Sequence, residues 1–274
     1  MTSLAELTES RELLNNLTLR ELRGKYKRST LGWAWSMLNP IAQLAIFTFV
    51  FRFVLKTQIE PGDPSGETNF ALWLACGLLP YQFVSQSLSG SLITIVGNGN
   101  LIKKVWFPRE VLVISHVLSW DVSFLIELGV LSVALLVFGN MVLPWLPAVL
   151  VLVAIMSVFA MGLGLLASSI NVYFRDVQHF IGIFLQLWFY ASPVIYPIRL
   201  VEDRADHELL GMSILTIYRL NPMVHFIEAF RNVLFDLRWP PLTTVAYISV
   251  WSAVTFAVGY TVFSKLEPRM AEEL

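Results

Sequence analysis

The chain has 274 residues, of which 56% are hydrophobic, and its formal net charge at pH 7 is −1. That hydrophobic fraction, with a mean hydropathy of +0.65, exceeds the roughly 45–50% of soluble domains, which excludes an ordinary soluble protein. The single cysteine, Cys76, excludes an intrachain disulfide. The first thirty residues are polar and lack the apolar region of a cleavable signal peptide, so we expect the first membrane helix to remain as an anchor.

Residues 8–30 are predicted to form an amphipathic helix that lies on the cytoplasmic membrane surface. Three apolar side chains share one helical face and three basic ones share the neighbouring face: Leu19, Leu22 and Tyr26, then Arg20, Arg23 and Lys27. This arrangement is typical of interfacial helices on anionic lipid. A solvated, charged N-terminal segment is the alternative interpretation.

Six long, mostly apolar stretches follow, and a helix needs about 20 apolar residues to cross a bilayer core. The predicted spans are 34–56, 70–95, 111–138, 145–170, 179–198 and 243–264. Lys and Arg concentrate before the first span, after the second and at the C-terminal tail, 265–274. Because cytoplasmic loops are rich in these residues, both termini are predicted to be cytoplasmic. The fold class is therefore an all-α, multi-pass integral membrane protein with a single membrane domain, its six helices within 34–264.

Polar and aromatic residues interrupt three of these apolar spans. Gln43, Phe47 and Phe51 share one face of the first span, the second carries Tyr81, Gln82, Phe83 and Gln86, and the fifth carries Trp188, Tyr190 and Tyr196. Aromatic faces can pack on sugar rings, while Tyr and Gln can hydrogen-bond to hydroxyl groups. The alternative is the aromatic belt that membrane proteins carry at the lipid interface.

Two connecting segments are predicted to contain short helices. Gly97–Phe107 is typical of an amphipathic helix lying at the cytoplasmic surface. In the polar stretch 199–241, Asn221-Pro222 predicts a helix start for a helix over 222–236, about 20 Å long and too short to span. Glu228 and Arg231 could pair within it. With the segment 209–220, this predicts short helices that lie at the outer surface or re-enter the membrane.

The chain lacks the Gly-x-x-x-x-Gly-Lys-Ser/Thr sequence of a P-loop ATPase, and no Cys/His cluster suggests a metal site. Asp121 and Glu127 lie inside the third span, where an ionisable residue is a functional hypothesis by default. Either a polar contact to a neighbouring helix or proton coupling would explain them.

Five segments, in order along the chain, resemble one family: Leu19 to Pro40, Asn100 to Glu110, Asn171 to Val177, Ser192 to Pro197, and Leu220 to Met223. They resemble the membrane subunit of ABC-2-type polysaccharide exporters, the O-antigen and teichoic-acid (Wzm/TagG-like) permeases. The resemblance implies an exporter of polyprenyl-diphosphate-linked polysaccharide in the bacterial plasma membrane. It also implies a homodimer with two copies of a separate ABC ATPase subunit, which binds ATP and Mg²⁺. This chain would then bind no cofactor, metal or nucleic acid and would not itself be an enzyme.

The resemblance also implies roles for particular residues. The substrate path would include Tyr26, Gln43, Phe47, Phe51, Tyr81, Phe83, Trp188, Tyr190 and Tyr196. ATPase coupling would involve Asn100, Leu101, Lys103, Lys104, Trp106, Phe107, Arg175 and Asp176. The region 199–241 would hold outer gate helices between the fifth and sixth spans.

Several alternatives stay open at this point. They are a drug- or lipid-exporting ABC-2 permease, an ion-coupled secondary transporter, and a membrane glycosyltransferase, although the last would need catalytic acidic residues at a membrane face. The sequence also leaves open whether the glycan is an O-antigen, a teichoic acid or a cell-wall galactan.

Overall fold

A computed structural model describes residues 11–25, 29–32, 34–56, 59–202, 208–209 and 212–273. Its N-terminal half is helical. The elements are α1 (Arg11–Lys25), α2 (Ala34–Phe47, continued by a π-helix over Thr48–Val54), α3 (Phe70–Gly97), α4 (Gly99–Lys104) and α5 (Glu110–Val137). The helix α1 lies within the predicted range 8–30 and packs against α5.

The described part of the second half contains two long helices, several short ones and a β-hairpin with two residues in each strand. A 3₁₀ turn (Leu143–Trp145) leads into α6 (Leu146–Tyr173), followed by α7 (Val177–Tyr190) and α8 (Arg199–Glu202). The strands β1 (Glu208–Leu209) and β2 (Met212–Ser213) pair antiparallel. Then come α9 (Ile214–Arg219), α10 (Pro222–Arg231, continued by a π-helix over Asn232–Asp236), α11 (Leu242–Leu266), a 3₁₀ turn (Glu267–Arg269) and α12 (Met270–Glu273).

Within the described residues, four helical segments are long and apolar enough to cross a membrane: Ala34–Phe51, Glu110–Val137, Leu143–Tyr173 and Leu242–Arg269. Two predicted spans are not among them. The helix α3 has 28 residues, but its glutamines and serines lower its hydropathy. The helix α7 has only 14 residues, because the turn that contains Pro193 ends it well before residue 198. The multi-helix membrane fold is confirmed, while the count of six spans stays a prediction.

The helices α6 and α11 approach each other closely at two glycines. A Cβ atom added to Gly162 would meet the backbone of Thr255 and Phe256, and one added to Gly259 would meet the carbonyl oxygen of Gly162. Small residues of this kind let helix backbones touch. The first span contrasts with this pair, because only 11% of the residues of Ala34–Phe51 are buried, against 56% in the most apolar part of the fourth span.

The predicted helix over 222–236 matches α10 with its π-helical continuation. The Asn221 side chain accepts a hydrogen bond from the Met223 backbone N–H at 3.0 Å, which caps the helix start as the Asn-Pro pair predicts. The helix is almost completely buried and packs against α3. This contact places a segment too short to span within the protein core.

Candidate functional site

A cavity of about 240 Å³, called here the lower cavity, lies where the end of α1 meets α2, α3 and α5. Each of these helices contributes at least one polar group to its wall. The polar lining consists of Lys25, Ser36, Asn39, Gln43, Gln82, Gln86, Ser123 and Glu127, and the remainder of Trp35, Pro40, Phe83, Trp120 and Phe124. Such a mixed wall can bind a polar molecule that also presents apolar surface.

Among the described residues, the ammonium group on this wall belongs to Lys25, at the C-terminal end of α1. Its Nζ donates to the Ser119 carbonyl oxygen at 3.1 Å and to Ser123 Oγ at 2.9 Å, and it lies 3.6 Å from the ring centroid of Trp120. Burial lowers the pKa of Lys25 to about 8, while nearby Glu127 and Glu21 act in the opposite direction. The third span therefore holds the charged end of α1 at the cavity wall.

Two further contacts tie α1 to its neighbours. Arg20 Nη2 donates to Asn98 Oδ1 at 2.9 Å, and Asn98 is the residue between α3 and α4. The carboxylate of Glu21 lies 3.8 Å from His116 Nδ1 on α5. Hydrogen bonding to His116 lowers the pKa of Glu21. The position of α1 thus depends on both the α3–α4 junction and α5.

A second cavity of about 450 Å³, the upper cavity, continues along α2 and α3 towards the end of α7. It shares Gln43, Gln82 and Gln86 with the lower cavity, and the rest of its wall is Phe47, Phe51, Leu74, Leu78, Tyr81, Ser85, Phe189 and Ile195. None of these lining residues is charged. We refer to the two cavities together as the groove.

The structure brings five of the predicted path residues to the groove. Gln43, Phe47, Phe51 and Tyr81 line the upper cavity, and Phe83 lies at the lower one. The rings of Phe47 and Phe51 are 6.3 Å apart, as their common helical face predicts. Tyr81 donates a hydrogen bond to the Leu185 carbonyl oxygen, and Phe83 is only 2% exposed because it stacks on Phe124 at 4.8 Å. The last two side chains therefore also serve packing.

The other predicted path residues that the structure describes do not line the groove. Trp188 meets the ring of Tyr81 at 6.3 Å but donates to Asn221 Oδ1 at 2.8 Å and lines a separate apolar cavity of about 540 Å³. The backbone oxygen of Tyr190, whose side chain is exposed, accepts a hydrogen bond from the Tyr196 hydroxyl at 2.6 Å. Tyr26 lies outside the described residues.

The predicted coupling segment 97–107 contains the short helix α4 and an extended end. Ile102 is buried, and Leu101 and Phe107 pack against the same apolar cluster, which anchors the segment to the bundle. Trp106 is 84% exposed. The polar members of the predicted set, Asn100, Lys103, Lys104, Arg175 and Asp176, are also exposed. The segment therefore exposes one aromatic ring and two lysine side chains.

The two acidic residues of the third span occupy different environments. Asp121 is buried, and Ser157 Oγ on α6 donates to its carboxylate at 2.5 Å. This contact favours the interpretation of Asp121 as a polar link between helices. Glu127 instead lines the lower cavity.

The predicted pairing of Glu228 with Arg231 is wrong. Among the described residues, no ion pair joins them; the Arg231 guanidinium donates to the carbonyl oxygens of Pro193 at 2.6 Å and Val194 at 2.7 Å. It also lies 3.5 Å from the ring centroid of Trp73. Backbone carbonyls of the turn after α7 have no helical partner, so they compete for this cation. Arg231 therefore joins α10 to that turn and to α3.

The sequence analysis named Gln82, Gln86 and Glu127 as polar residues within spans but predicted no shared cavity, and it assigned no role to Lys25. All four line the lower cavity. One signal was present: Gln82 and Gln86 are spaced i, i+4 and so share a helical face. The placement of Lys25 had no comparable signal, because it depends on how α1 packs on α5.

Comparisons with known proteins agree with this architecture. Residues 12–235 match the ABC-2 type transporter membrane family. An O-antigen export system permease of Klebsiella pneumoniae is 30% identical over 96% of this chain and 95% of its own length. A protein of the same description from Myxococcus xanthus is 30% identical over 98% of both chains, and a polysialic acid transport protein of Escherichia coli is 20% identical over 93% of both. The chain therefore belongs to the ABC-2 type transporter family, as a membrane subunit.

Proposed function

We propose that this chain is the transmembrane subunit of an ATP-driven exporter that moves a polyprenyl-diphosphate-linked polysaccharide from the cytoplasmic to the outer side of the bacterial inner membrane. In this proposal it works as a homodimer with two copies of a separate ABC ATPase. All six predicted spans cross the membrane, and both termini are cytoplasmic. The names of the relatives, which are O-antigen and polysialic acid exporters, support a polysaccharide substrate.

The groove is the observation that carries this proposal. A glycan cannot cross about 30 Å of hydrocarbon unaided, because each hydroxyl would lose its hydrogen bonds to water. The groove offers carboxamides and aromatic rings on helices that are otherwise apolar, and its wall reaches from Lys25 to Phe51. These are the groups that a sugar chain can contact in place of water.

The exposed end of the coupling segment supports the ATPase partner. Trp106 is the most exposed tryptophan that the structure describes, at 84%, on a segment whose other face is anchored in the bundle. A large aromatic residue left in water is typical of a binding hot spot. The ATPase would hold this segment, and its closure on ATP would move α4 together with the end of α3.

The test is reconstitution of this chain with its ATPase in proteoliposomes. ATP-dependent transfer of a polyprenyl-diphosphate-linked glycan, with two copies of each subunit in the purified complex, is the expected result. A Walker-motif lysine variant of the ATPase is the matched control and should abolish transfer. Transfer that stops when a proton gradient is dissipated at constant ATP would overturn the proposal in favour of an ion-coupled transporter.

A further inference from the structure

Three glutamines form the junction of the two cavities. Gln43, Gln82 and Gln86 are the residues that line both the lower and the upper cavity. Gln43 comes from α2, and the other two come from α3. Any molecule that extends along the groove must pass these side chains.

The three carboxamides are not used by the protein itself. Within the described chain, none of them makes a hydrogen bond to another protein group. Three asparagines away from the groove behave differently: Asn140, Asn171 and Asn221 each donate to a backbone carbonyl oxygen at 2.9–3.2 Å. A carboxamide without a partner is costly inside a membrane. These three groups, which are half-buried or exposed, are therefore free to bind water or a polar occupant of the groove.

The charge of the surrounding wall defines what that occupant can be. No Asp, Glu, Lys or Arg occurs from Ser36 to Phe51 or from Phe70 to Gly97, and none of the residues that the structure describes on the wall of the upper cavity is charged. The anionic groups of a polyanionic chain passing through it would lose their hydration without contacting a cation, and this desolvation has a large free-energy cost. A neutral sugar has no such cost, since its hydroxyls can donate to and accept from a carboxamide.

The charged groups that the structure describes in the groove belong to the lower cavity. Lys25 and Glu127 line the lower cavity and not the upper one, although Glu127 also reaches a small gap beside Phe47 and Leu78. A charged head group could therefore meet a cation at the α1 end, while the chain that follows it meets only neutral groups.

We infer that Gln43, Gln82 and Gln86 are specificity-determining residues that contact sugar hydroxyls and restrict export to glycans without charged sugars. This inference rests on the proposed export function and narrows it. It favours a neutral O-antigen or galactan over a teichoic acid, because the phosphates along a teichoic acid chain would add to the one diphosphate that all these substrates carry.

The test compares two probes in proteoliposomes that contain this chain and its ATPase. One is a polyprenyl-diphosphate-linked galactose oligomer, and the other is the same oligomer with sulfated hydroxyls. The wild-type complex should export the neutral probe at least about tenfold faster, because the sulfates have no compensating charge in the groove. Gln86→Lys supplies such a charge on a side chain that is already exposed to the groove, and it should shrink the preference by about tenfold.

Two controls separate specificity from assembly. Gln178→Lys places the same charge on an exposed position of α7 that lines neither cavity, and it should leave the preference unchanged. Gln86→Leu removes the carboxamide without adding charge and should slow export of the neutral probe. Co-purification with the ATPase must be normal for each variant that is scored. If Gln86→Lys fails to assemble, Gln86→Leu decides.

The outcomes distinguish the inference from the proposed function. Equal export of both probes by the wild type, or neutral behaviour of both Gln86 variants in assembled complexes, overturns the inference and leaves the exporter function intact. If the assembled wild-type complex hydrolyses ATP and exports neither probe, the proposed function itself is overturned, and the inference with it.

Discussion

Replacing Arg231 with methionine should destabilise the protein substantially. The substitution leaves the carbonyl oxygens of Pro193 and Val194 without the two short bonds that the guanidinium donates. Each buried carbonyl without a partner costs about 1–3 kcal/mol, and loss of the stacking on Trp73 adds about 1 kcal/mol. Removing a buried charge offsets part of this cost, so we expect a net loss of about 3 kcal/mol.

The assay is thermal unfolding of the purified protein in detergent. A loss of this size corresponds to a melting temperature lower by about 6–12 °C for a chain of this length. Arg231→Lys keeps the charge but lacks the planar fork that reaches two carbonyls, so it should lie between methionine and the wild type. The matched control is Arg238→Met, since Arg238 is half-exposed and bonded to Asp236 at 3.2 Å, and exposed pairs contribute at most about 1 kcal/mol.

Two results would refute the reasoning. A melting temperature of Arg231→Met within about 2 °C of the wild type would mean that the turn after α7 finds other donors. An equal effect of Arg238→Met would mean that total charge, rather than the buried contacts, sets stability. Limited proteolysis within 191–198 would show whether that turn is released from α10.

The remaining predictions concern coupling, packing, pH and the acidic residues. Trp106→Asp should uncouple ATP hydrolysis from export while membrane insertion stays normal, and unchanged export would remove this residue from the partner surface. Gly259→Leu should disrupt the bundle and lower the melting temperature, whereas Gly182→Leu, which has open space around its Cβ position, should not. Because burial lowers the pKa of Lys25 to about 8 from its ordinary value of about 10.4, the unfolded chain binds more protons between these values. Stability should therefore rise with pH across that interval, and Lys25→Met should flatten the rise in pH-dependent melting curves. Asp121→Asn should retain ATP-driven export if this residue only links helices, and a selective loss of export would revive ion coupling.

Local signals predicted some features well. Asn221-Pro222 located the start of the helix 222–236 because capping depends on adjacent residues, and Phe47 with Phe51 followed from helical spacing. The membrane character followed from composition alone. These features depend on residues within a few positions of each other in the chain.

Other features depend on contacts between distant segments and could not be predicted in the same way. The position of Lys25 in the groove is set by Ser119 and Ser123, which lie 94 and 98 residues away. The spacing of Glu228 and Arg231 suggested an ion pair, yet the guanidinium donates its hydrogen bonds to carbonyl oxygens 37 and 38 residues away. Trp188 lay in the right span for the path but turns towards Asn221, on a different segment. Helical spacing predicts which residues share one face of a helix, whereas the packing of the helices determines which residues that face contacts.

The first span is one wall of the groove, yet only 11% of its Ala34–Phe51 segment is buried. The opposite wall belongs to α3, which is held in the core, while α6 and α11 are fixed to each other at Gly162 and Gly259. The α3 wall of the groove is thus held by the rest of the bundle, whereas the wall formed by the first span has few supporting contacts within its own chain. The position of the first span therefore depends on what contacts its outer face, whether lipid or another subunit. The width of the groove is consequently set by the surroundings of the chain as well as by the chain itself.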